Sequence, residues 1–241
     1  MIMFDFTERT ELLIGEDNVK KLAGARVLLF GLGGVGGICA ETLVRAGVGH
    51  LTCVDGDQVT ISNINRQIIA LHSTIGRFKT EVFRERAKDI NPYAEINILT
   101  GFFGREDFPD NVPDFTAYDY VVDCIDDVNA KVSVIVNSRN ASTPVISCMG
   151  AGNRYGRPDF VVCDLFKTSG DPLARVMRQY LRKSGIDKDV KCVISKVPPD
   201  VASSKQDCGG KNIISSISYS PAAEGIICAS EVIRELISVG K

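Results

Sequence analysis

At 241 residues, 44% of them hydrophobic and 24% charged, the chain has the composition of a globular protein able to bury one sizeable core. A formal net charge of −2 excludes a global attraction to nucleic acid; any such contact must come from a local patch, and no DNA partner is expected. Asp5, Glu8, Arg9 and Glu11 interrupt the first positions and no apolar run reaches membrane-span length, which argues for a cytoplasmic protein.

Residues 7–22 read as a helical lead-in. The apolar run 27–30 predicts a strand that enters Gly31-Leu32-Gly33-Gly34-Val35-Gly36, and a helix over 34–47 follows. A second strand over 51–54 ends in Asp55-Gly56-Asp57. A polar linker, 60–74, carries Asn63, Arg66 and Gln67; Gly76-Arg77-Phe78-Lys79 then opens a helix that runs to about Ile90. Strands are expected at 96–99, 120–125 and 144–148, with an irregular loop at 101–118, Asp126-Asp127 after the second of these strands, and a helix at 128–141. This alternation predicts a parallel sheet with right-handed crossovers and its polar clusters at the carboxyl ends of the strands.

After Gly150 the pattern changes. Residues 160–166, 190–195 and 215–219 alternate like half-buried antiparallel strands. A helix at 172–184 should turn Leu173, Val176, Met177, Tyr180 and Leu181 inward and Arg175, Arg178 and Arg182 outward. Residues 197–212 resemble a mobile loop, and 222–239 a core helix with Glu224, Glu231, Arg234 and Glu235 on one stripe. The fold class expected is α/β: a Rossmann-like, mainly parallel sheet continued by antiparallel strands.

The glycines point to a phosphate site. Gly31 permits the tight turn, Gly33 lets backbone N–H groups approach an anion, and Gly36 lets the helix pack on the strand. The helix start offers unpaired N–H groups and the positive end of its dipole, and Asp55 is placed for a ribose. This stretch alone would suit a dinucleotide dehydrogenase. Asn63, Arg66 and Lys79 follow too soon for that, because two cations converging on a nucleotide neutralise a triphosphate. Asp126 and Asp127 stand at the neighbouring strand end, where a carboxylate, Asp126 above all, can hold Mg²⁺. The turn lacks G-K-[ST], which excludes a P-loop ATPase. Together the residues describe ATP with its α-phosphate open to attack.

That combination, Gly31-x-Gly33-Gly34-x-Gly36, Asp55-x-Asp57, Asn63-x-x-Arg66-Gln67, Lys79 and Asp126, resembles the ubiquitin-activating-enzyme-like adenylation family, which includes the ThiF and MoeB sulfur-carrier activators. The resemblance covers 8–150 and implies a ThiF/MoeB-type fold, ATP and Mg²⁺ as cofactors with room for a structural Na⁺ or K⁺, and carboxylate adenylation. It implies ATP-binding roles for Gly34, Asp55, Asn63, Arg66, Lys79 and Asp126, and a homodimer in which Arg9 crosses to the neighbouring phosphates. The stretches 9–15, 147–153 and 164–178 resemble one branch, the tRNA threonylcarbamoyladenosine dehydratases. These imply a tRNA substrate, one domain over 1–241 with an ATP-binding half (1–150) and a substrate- and dimer-side half (151–241), and a sulfur-relay or desulfurase protein as a further partner. A sulfur-carrier or ubiquitin-like protein adenylyltransferase is the alternative.

Arg175, Arg178 and Arg182, with Lys167 nearby, read equally as a tRNA patch or as a solvated helix face. None of the eight cysteines forms a C-x-x-C pair, which argues for buried free thiols and against structural zinc. Cys192 and Cys208 are the candidates for a transfer thiol, and both are expected to be inert.

Overall fold

The computed structural model describes residues 6–105, 108, 112–200 and 214–238. Seven strands form one sheet: β1 (Arg26–Phe30), β2 (His50–Asp55), β3 (Glu95–Thr100), β4 (Tyr120–Asp123), β5 (Val145–Cys148), β6 (Phe160–Asp164) and β7 (Lys191–Ser195), in the order β3-β2-β1-β4-β5-β7-β6. Every pairing is parallel except β6 with β7. The helices are α1 (Glu8–Ile14), α2 (Glu16–Gly24), α3 (Gly36–Arg45), α4 (Lys79–Ile90), α5 (Val128–Asn140), α6 (Pro172–Lys183) and α7 (Tyr219–Ser238).

Both faces of the sheet are covered, and β1 shows why its sequence is a continuous apolar run. Val27 and Leu29 join a buried cluster with Cys39, Leu43, Phe83 and Val232 of α3, α4 and α7. Leu28 and Phe30 point the other way, into a second cluster with Val134, Ile135, Met177 and Leu181 of α5 and α6. A strand buried on both sides loses the polar alternation of a half-exposed one. The chain leaves β1 toward β2 on one side and reaches β4 on the other, so a crevice opens at the carboxyl ends of β1 and β4.

Three expectations need correction. Residues 214–218 are not a strand, and α7 begins at Tyr219. The Ser215 N–H and hydroxyl both donate to Asn153 Oδ1 at 2.9 Å, and the Asn65 amide donates to Ser216 O at 3.1 Å. Side chains of two loops thus take the backbone groups a strand would have paired, and Ile214 and Ile217 are exposed, so their alternation marks no buried face. Secondly, β7 is inserted between β5 and β6 and runs parallel to β5, which leaves β6 as the antiparallel edge. Thirdly, on α6 the buried positions are Ala174, Met177 and Leu181, while Tyr180 is exposed.

On α7 the acidic stripe faces the sheet. Lys191 of β7 pairs with Glu231 at 2.7 Å and also with Glu235, and the Tyr120 hydroxyl of β4 donates to Glu235. Arg234 is solvent-exposed. Among the described residues, no helix is long and apolar enough to cross a membrane.

Candidate active site

The turn after β1 can only be built from glycine at two of its positions. Gly31 has φ +89°, and a Cβ there would stand 2.7 Å from Cys124 O. A Cβ on Gly36 would stand 1.8 Å from Gly31 O, which is how closely α3 starts against the turn. Gly34 lies against Pro221 of α7 and Arg66 O, whereas at Gly33 the nearest atom to a Cβ is Gln67 Nε2, at 3.9 Å. The face over Gly33 is therefore the roomier side of the turn.

Asp55, the last residue of β2, staples that turn in place. Its Oδ2 accepts the Leu32 N–H at 2.6 Å and its Oδ1 accepts the Asp57 N–H at 2.8 Å. Burial raises its pKa, and the Lys79 ammonium and the two N–H groups work against that rise. Each carboxylate oxygen keeps a lone pair for a further donor. Lys79 opens α4; its backbone N–H donates to Asp57 O at 3.0 Å and its Nζ to Asp57 Oδ2 at 2.7 Å. The lysine side chain is 5% exposed and its aspartate partner 53%, so a desolvated ammonium is held from the solvent side by a carboxylate.

The linker after β2 forms a short turn over Ile61–Asn63. Asn63 is buried and accepts the Thr60 N–H at 3.1 Å, while Asn63 O accepts the N–H groups of Arg66 and Gln67 at 3.1 and 2.9 Å. The Arg66 guanidinium donates to Ser62 O at 2.8 Å and to Asn65 Oδ1 at 2.9 Å, which fixes its stem and leaves its other donors free. The sequence reading had no role for the Gln67 side chain: its Oε1 is buried with no hydrogen-bond partner while its Nε2 lies under Gly33. Its place beside Arg66 in the linker was the available signal.

At the carboxyl end of β4 the acidic residues divide. Asp126 is exposed, and its side chain makes no hydrogen bond or ion pair among the described residues. Asp127 caps α5, accepting the Ala130 N–H at 2.9 Å. Asp123, which the sequence reading passed over, is fully buried and accepts from Ser147 Oγ (2.5 Å), Lys131 Nζ (2.9 Å) and the Ile125 N–H (3.1 Å). Lys131 also donates to Cys148 O at 2.7 Å and Ile125 O at 3.1 Å. Burial works against this ammonium, yet Asp123 more than offsets it and the lysine pKa lies above its ordinary value. The pair ties the ends of β4 and β5 together beneath the crevice.

The remaining site candidates lie elsewhere. Arg9 sits exposed on α1, a helix with no buried residue, on which Leu12 and Leu13 are 84% and 85% exposed. Lys167, Arg175 and Arg182 are exposed; Arg178 is half-buried and donates to Thr168 Oγ1 and to Leu165 O, and Arg182 stacks 5.4 Å from the centre of the Phe166 ring. A cavity of about 270 Å³ beside them is lined by Lys167, Thr168, Ser169, Gly170 and Lys196 among others. Arg154, which directly follows the 147–153 stretch, is buried against Asp171, the N-cap of α6, at 2.9 Å. Cys192 is buried in β7, and Cys208 lies outside the described residues.

A glycine turn, a stapled strand-end aspartate and a buried lysine at a switch point suit a nucleotide triphosphate. The family model for the ThiF family matches residues 7–240. The chain belongs to the ThiF family. It is 36% identical to a tRNA threonylcarbamoyladenosine dehydratase of Bacillus subtilis (strain 168), covering 95% of this chain and 93% of that protein. The crystal structure of the E. coli tRNA N6-threonylcarbamoyladenosine dehydratase TcdA in complex with ATP superposes with a TM-score of 0.86 at 32% identity, over 99% of this chain and 97% of that one. The molybdopterin-synthase adenylyltransferase of Escherichia coli (strain K12) is 32% identical, but over only 54% of this chain and 51% of its own length. The likeness to the dehydratases thus runs over nearly the whole chain, whereas the likeness to the adenylyltransferase covers about half of it.

Proposed function

We propose that the chain is an ATP-dependent tRNA threonylcarbamoyladenosine dehydratase. The observation that carries this reading is the end-to-end likeness to proteins of that name, joined to a nucleotide crevice built from this chain's own residues. In the reaction, an oxygen of the threonyl carboxylate attacks the α-phosphorus of ATP and pyrophosphate leaves. The ureido group of the same modified base then attacks the activated carbonyl, gives up a proton and expels AMP as the ring closes. Nucleophile and electrophile belong to one molecule, so closure gains from proximity and needs no enzymic thiol.

The geometry supports the following roles. The 31–36 turn and the start of α3 receive phosphate oxygens, Asp55 receives the ribose, and Asn63 holds the linker that presents Arg66. Lys79, held in position by Asp57, and Arg66 offset the charge that grows on phosphorus. The exposed Asp126 carboxylate, unpaired among the described residues, would hold Mg²⁺, a hard cation that would neutralise part of the phosphate charge. Asp127, committed to capping α5, serves the site by orienting that helix. A structural Na⁺ or K⁺ belongs to the same reading without assigned ligands.

Assembly and substrate complete the proposal. The exposed Leu12 and Leu13 support a homodimer through α1, which would carry Arg9 to the partner's phosphates. The 1–150 half holds ATP, and the 151–241 half meets tRNA through Lys167, Arg175, Arg178 and Arg182. The enzyme works in the cytoplasm, and a sulfur-relay or desulfurase partner remains compatible with it. The test is pyrophosphate release with tRNA carrying threonylcarbamoyladenosine, set against a small carrier protein ending in Gly-Gly, with mass spectrometry of the tRNA nucleosides. Release with tRNA together with cyclised base is expected. Release with the carrier alone would transfer the chain to the sulfur-carrier adenylyltransferases.

A further inference from the structure

Four of the eight cysteines leave four different elements and meet beneath the glycine turn. Cys124 follows β4, Cys148 ends β5, Cys228 is on α7, and Cys39, on α3, borders Cys124 and Cys228. The Sγ atoms of Cys124, Cys148 and Cys228 all lie within 4.8 Å of one another, and those of Cys124 and Cys148 are 3.7 Å apart. Two thiolates on a tetrahedral cation with metal–sulfur bonds of about 2.3 Å stand about 3.8 Å apart. One edge of such a tetrahedron is therefore already present.

Apolar packing would account for clustered thiols but not for their neighbour. Glu224 lies one turn before Cys228 on the same face of α7 and is 1% exposed; among the described residues no group completes a hydrogen bond to either carboxylate oxygen, although the Met149 N–H acts on it favourably. The nearby Met149 N–H is given to Val193 O at 3.0 Å. Among the groups that act on this carboxyl electrostatically are Cys124, Lys131 and Asp171, and Lys131 is already engaged with Asp123. Burial pushes the Glu224 carboxyl up to about 8. A carboxyl this deep must be met by a proton or a cation.

We propose that Cys124, Cys148 and Cys228 form a binding site for one thiophilic divalent cation of the zinc class, with the buried Glu224 carboxyl one turn away on α7 as the group that would move in to the fourth position. On binding, three S–H protons and the Glu224 carboxyl proton pass to solvent as three metal–sulfur bonds and one metal–oxygen bond form. Thiolate donors select such a cation over Mg²⁺, which takes oxygen ligands. The half-buried Cys124 is the entrance; Cys148 and Cys228 lie behind it. Cys124 Cβ would be 3.0 Å from a Cβ on Gly36, so the bound cation would clamp β4, β5 and α7 directly under the turn. Ligands drawn from three elements leave no paired-cysteine spacing in the sequence, which is why the sequence reading argued against zinc.

The test uses the full chain, reduced and freed of metal, titrated with Cd²⁺ and with Zn²⁺. Expected are one equivalent of Cd²⁺ bound per chain, an ultraviolet thiolate-to-cadmium charge-transfer band, and a raised unfolding temperature with Zn²⁺. C148S and C228S should abolish the band, E224Q should weaken affinity at least about tenfold, and C53S and C163S should leave both unchanged. If the serine variants fail to fold, alkylation mapping of the wild type decides: Cd²⁺ should slow modification of Cys124, Cys148 and Cys228 together. No band at one equivalent, a band that survives in the C148S/C228S double variant, or protection confined to other cysteines would overturn the site.

Discussion

The charges around the glycine turn and those on α6 are held in opposite ways. Lys79 is 5% exposed and fixed by Asp57, and below it Lys131 and Asp123 are wholly buried with every partner inside the protein. On α6 and the turn before it, Lys167, Arg175 and Arg182 stand in solvent, Arg182 over the Phe166 ring, while Arg178 is hydrogen-bonded to Thr168 and Leu165. The difference matches two kinds of anion. A triphosphate has fixed geometry and is served by desolvated charges that need no rearrangement when it reacts. A tRNA is a long polyanion, and exposed cations gain affinity for it by releasing its counterions.

The comparison breaks most visibly if the buried charges are not structural. Lys131→Met leaves Asp123 at 0% exposure without its cation, and loss of one partner of a buried pair costs about 3–5 kcal/mol. Denaturant titration should show a loss of that size, with part of it restored when Asp123 is replaced by Leu as well. A loss under about 1 kcal/mol would mean the pair is not the tie between β4 and β5. Lys79→Ala should act differently: its partner Asp57 is 53% exposed and rehydrates, so the loss of stability should be smaller than for Lys131→Met and come from the buried Asp55 that loses its cation. Adenylation should fall about 10²–10³-fold, read as pyrophosphate release, with tRNA affinity unchanged. A wild-type rate would remove Lys79 from the phosphate site.

Glu41 tests whether buried charge on this half of the molecule stabilises through ionisation. It joins α3 to α4, accepting from Arg86 at 2.5 Å and Arg45 at 2.9 Å. Burial works against its carboxylate, but the two guanidinium groups more than offset that, and its pKa lies below the ordinary value. A depressed carboxyl stabilises above the unfolded-state pKa, and that contribution is lost as pH falls through the folded one. Glu41→Gln should therefore cost about 1–2 kcal/mol at neutral pH, since both arginines are partly exposed. The cost should shrink below about pH 4, so an equal loss in acid would assign the effect to packing.

Smaller still is the effect expected on the exposed side. The Arg175→Ala/Arg182→Ala double variant should weaken tRNA binding and lower the slope of log affinity against log salt by roughly 1–2, leaving the Michaelis constant for ATP unchanged. An unaltered slope would return α6 to an ordinary solvated face. Arg178 is left out of that test because its contacts with Thr168 and Leu165 would mix a folding effect with a binding one.

How far the sequence could be read follows the same division. Glycine spacing, strand-end aspartates and alternation with helices locate β1 to β5 within a residue or two, because each signal is local and every one of these strands except the edge strand β3 is buried on both faces. Gly36 and Asp55 were legible for the same reason, since their closest contacts lie within the unit they punctuate; Gly31 was legible from its place in the motif, although its closest neighbour is Cys124 O. What was lost depends on partners distant in sequence. The 215–218 segment alternates like a strand but is claimed by Asn153 and Asn65, and Glu224 and the cysteines meet only once α7 has folded back over β4 and β5. Asp123 was overlooked because its cation, Lys131, comes from the first turn of the next helix, where a lysine reads as solvated.

The smallest effect is expected at Cys192, and it bears on the chemistry rather than the fold. The residue lies in β7 with no exposure, its sulfur 4.0 Å from that of Cys163, and burial pushes its thiol pKa well up. A thiol that stays protonated in a closed core neither attacks an acyl-adenylate nor reaches one. Cys192→Ala should therefore leave cyclisation of the modified base within about twofold of wild type, while the lost sulfur volume costs about 1 kcal/mol of stability. Cys192→Ser should cost more, because it buries a hydroxyl in an apolar site, and should still cyclise. Mass spectrometry of the nucleosides, run beside pyrophosphate release, separates the two steps. Intact adenylation with lost cyclisation in a folded Cys192→Ala protein would require a thioester between them, and the exposed cations of α6 would then be delivering tRNA to a covalent enzyme rather than to an adenylate.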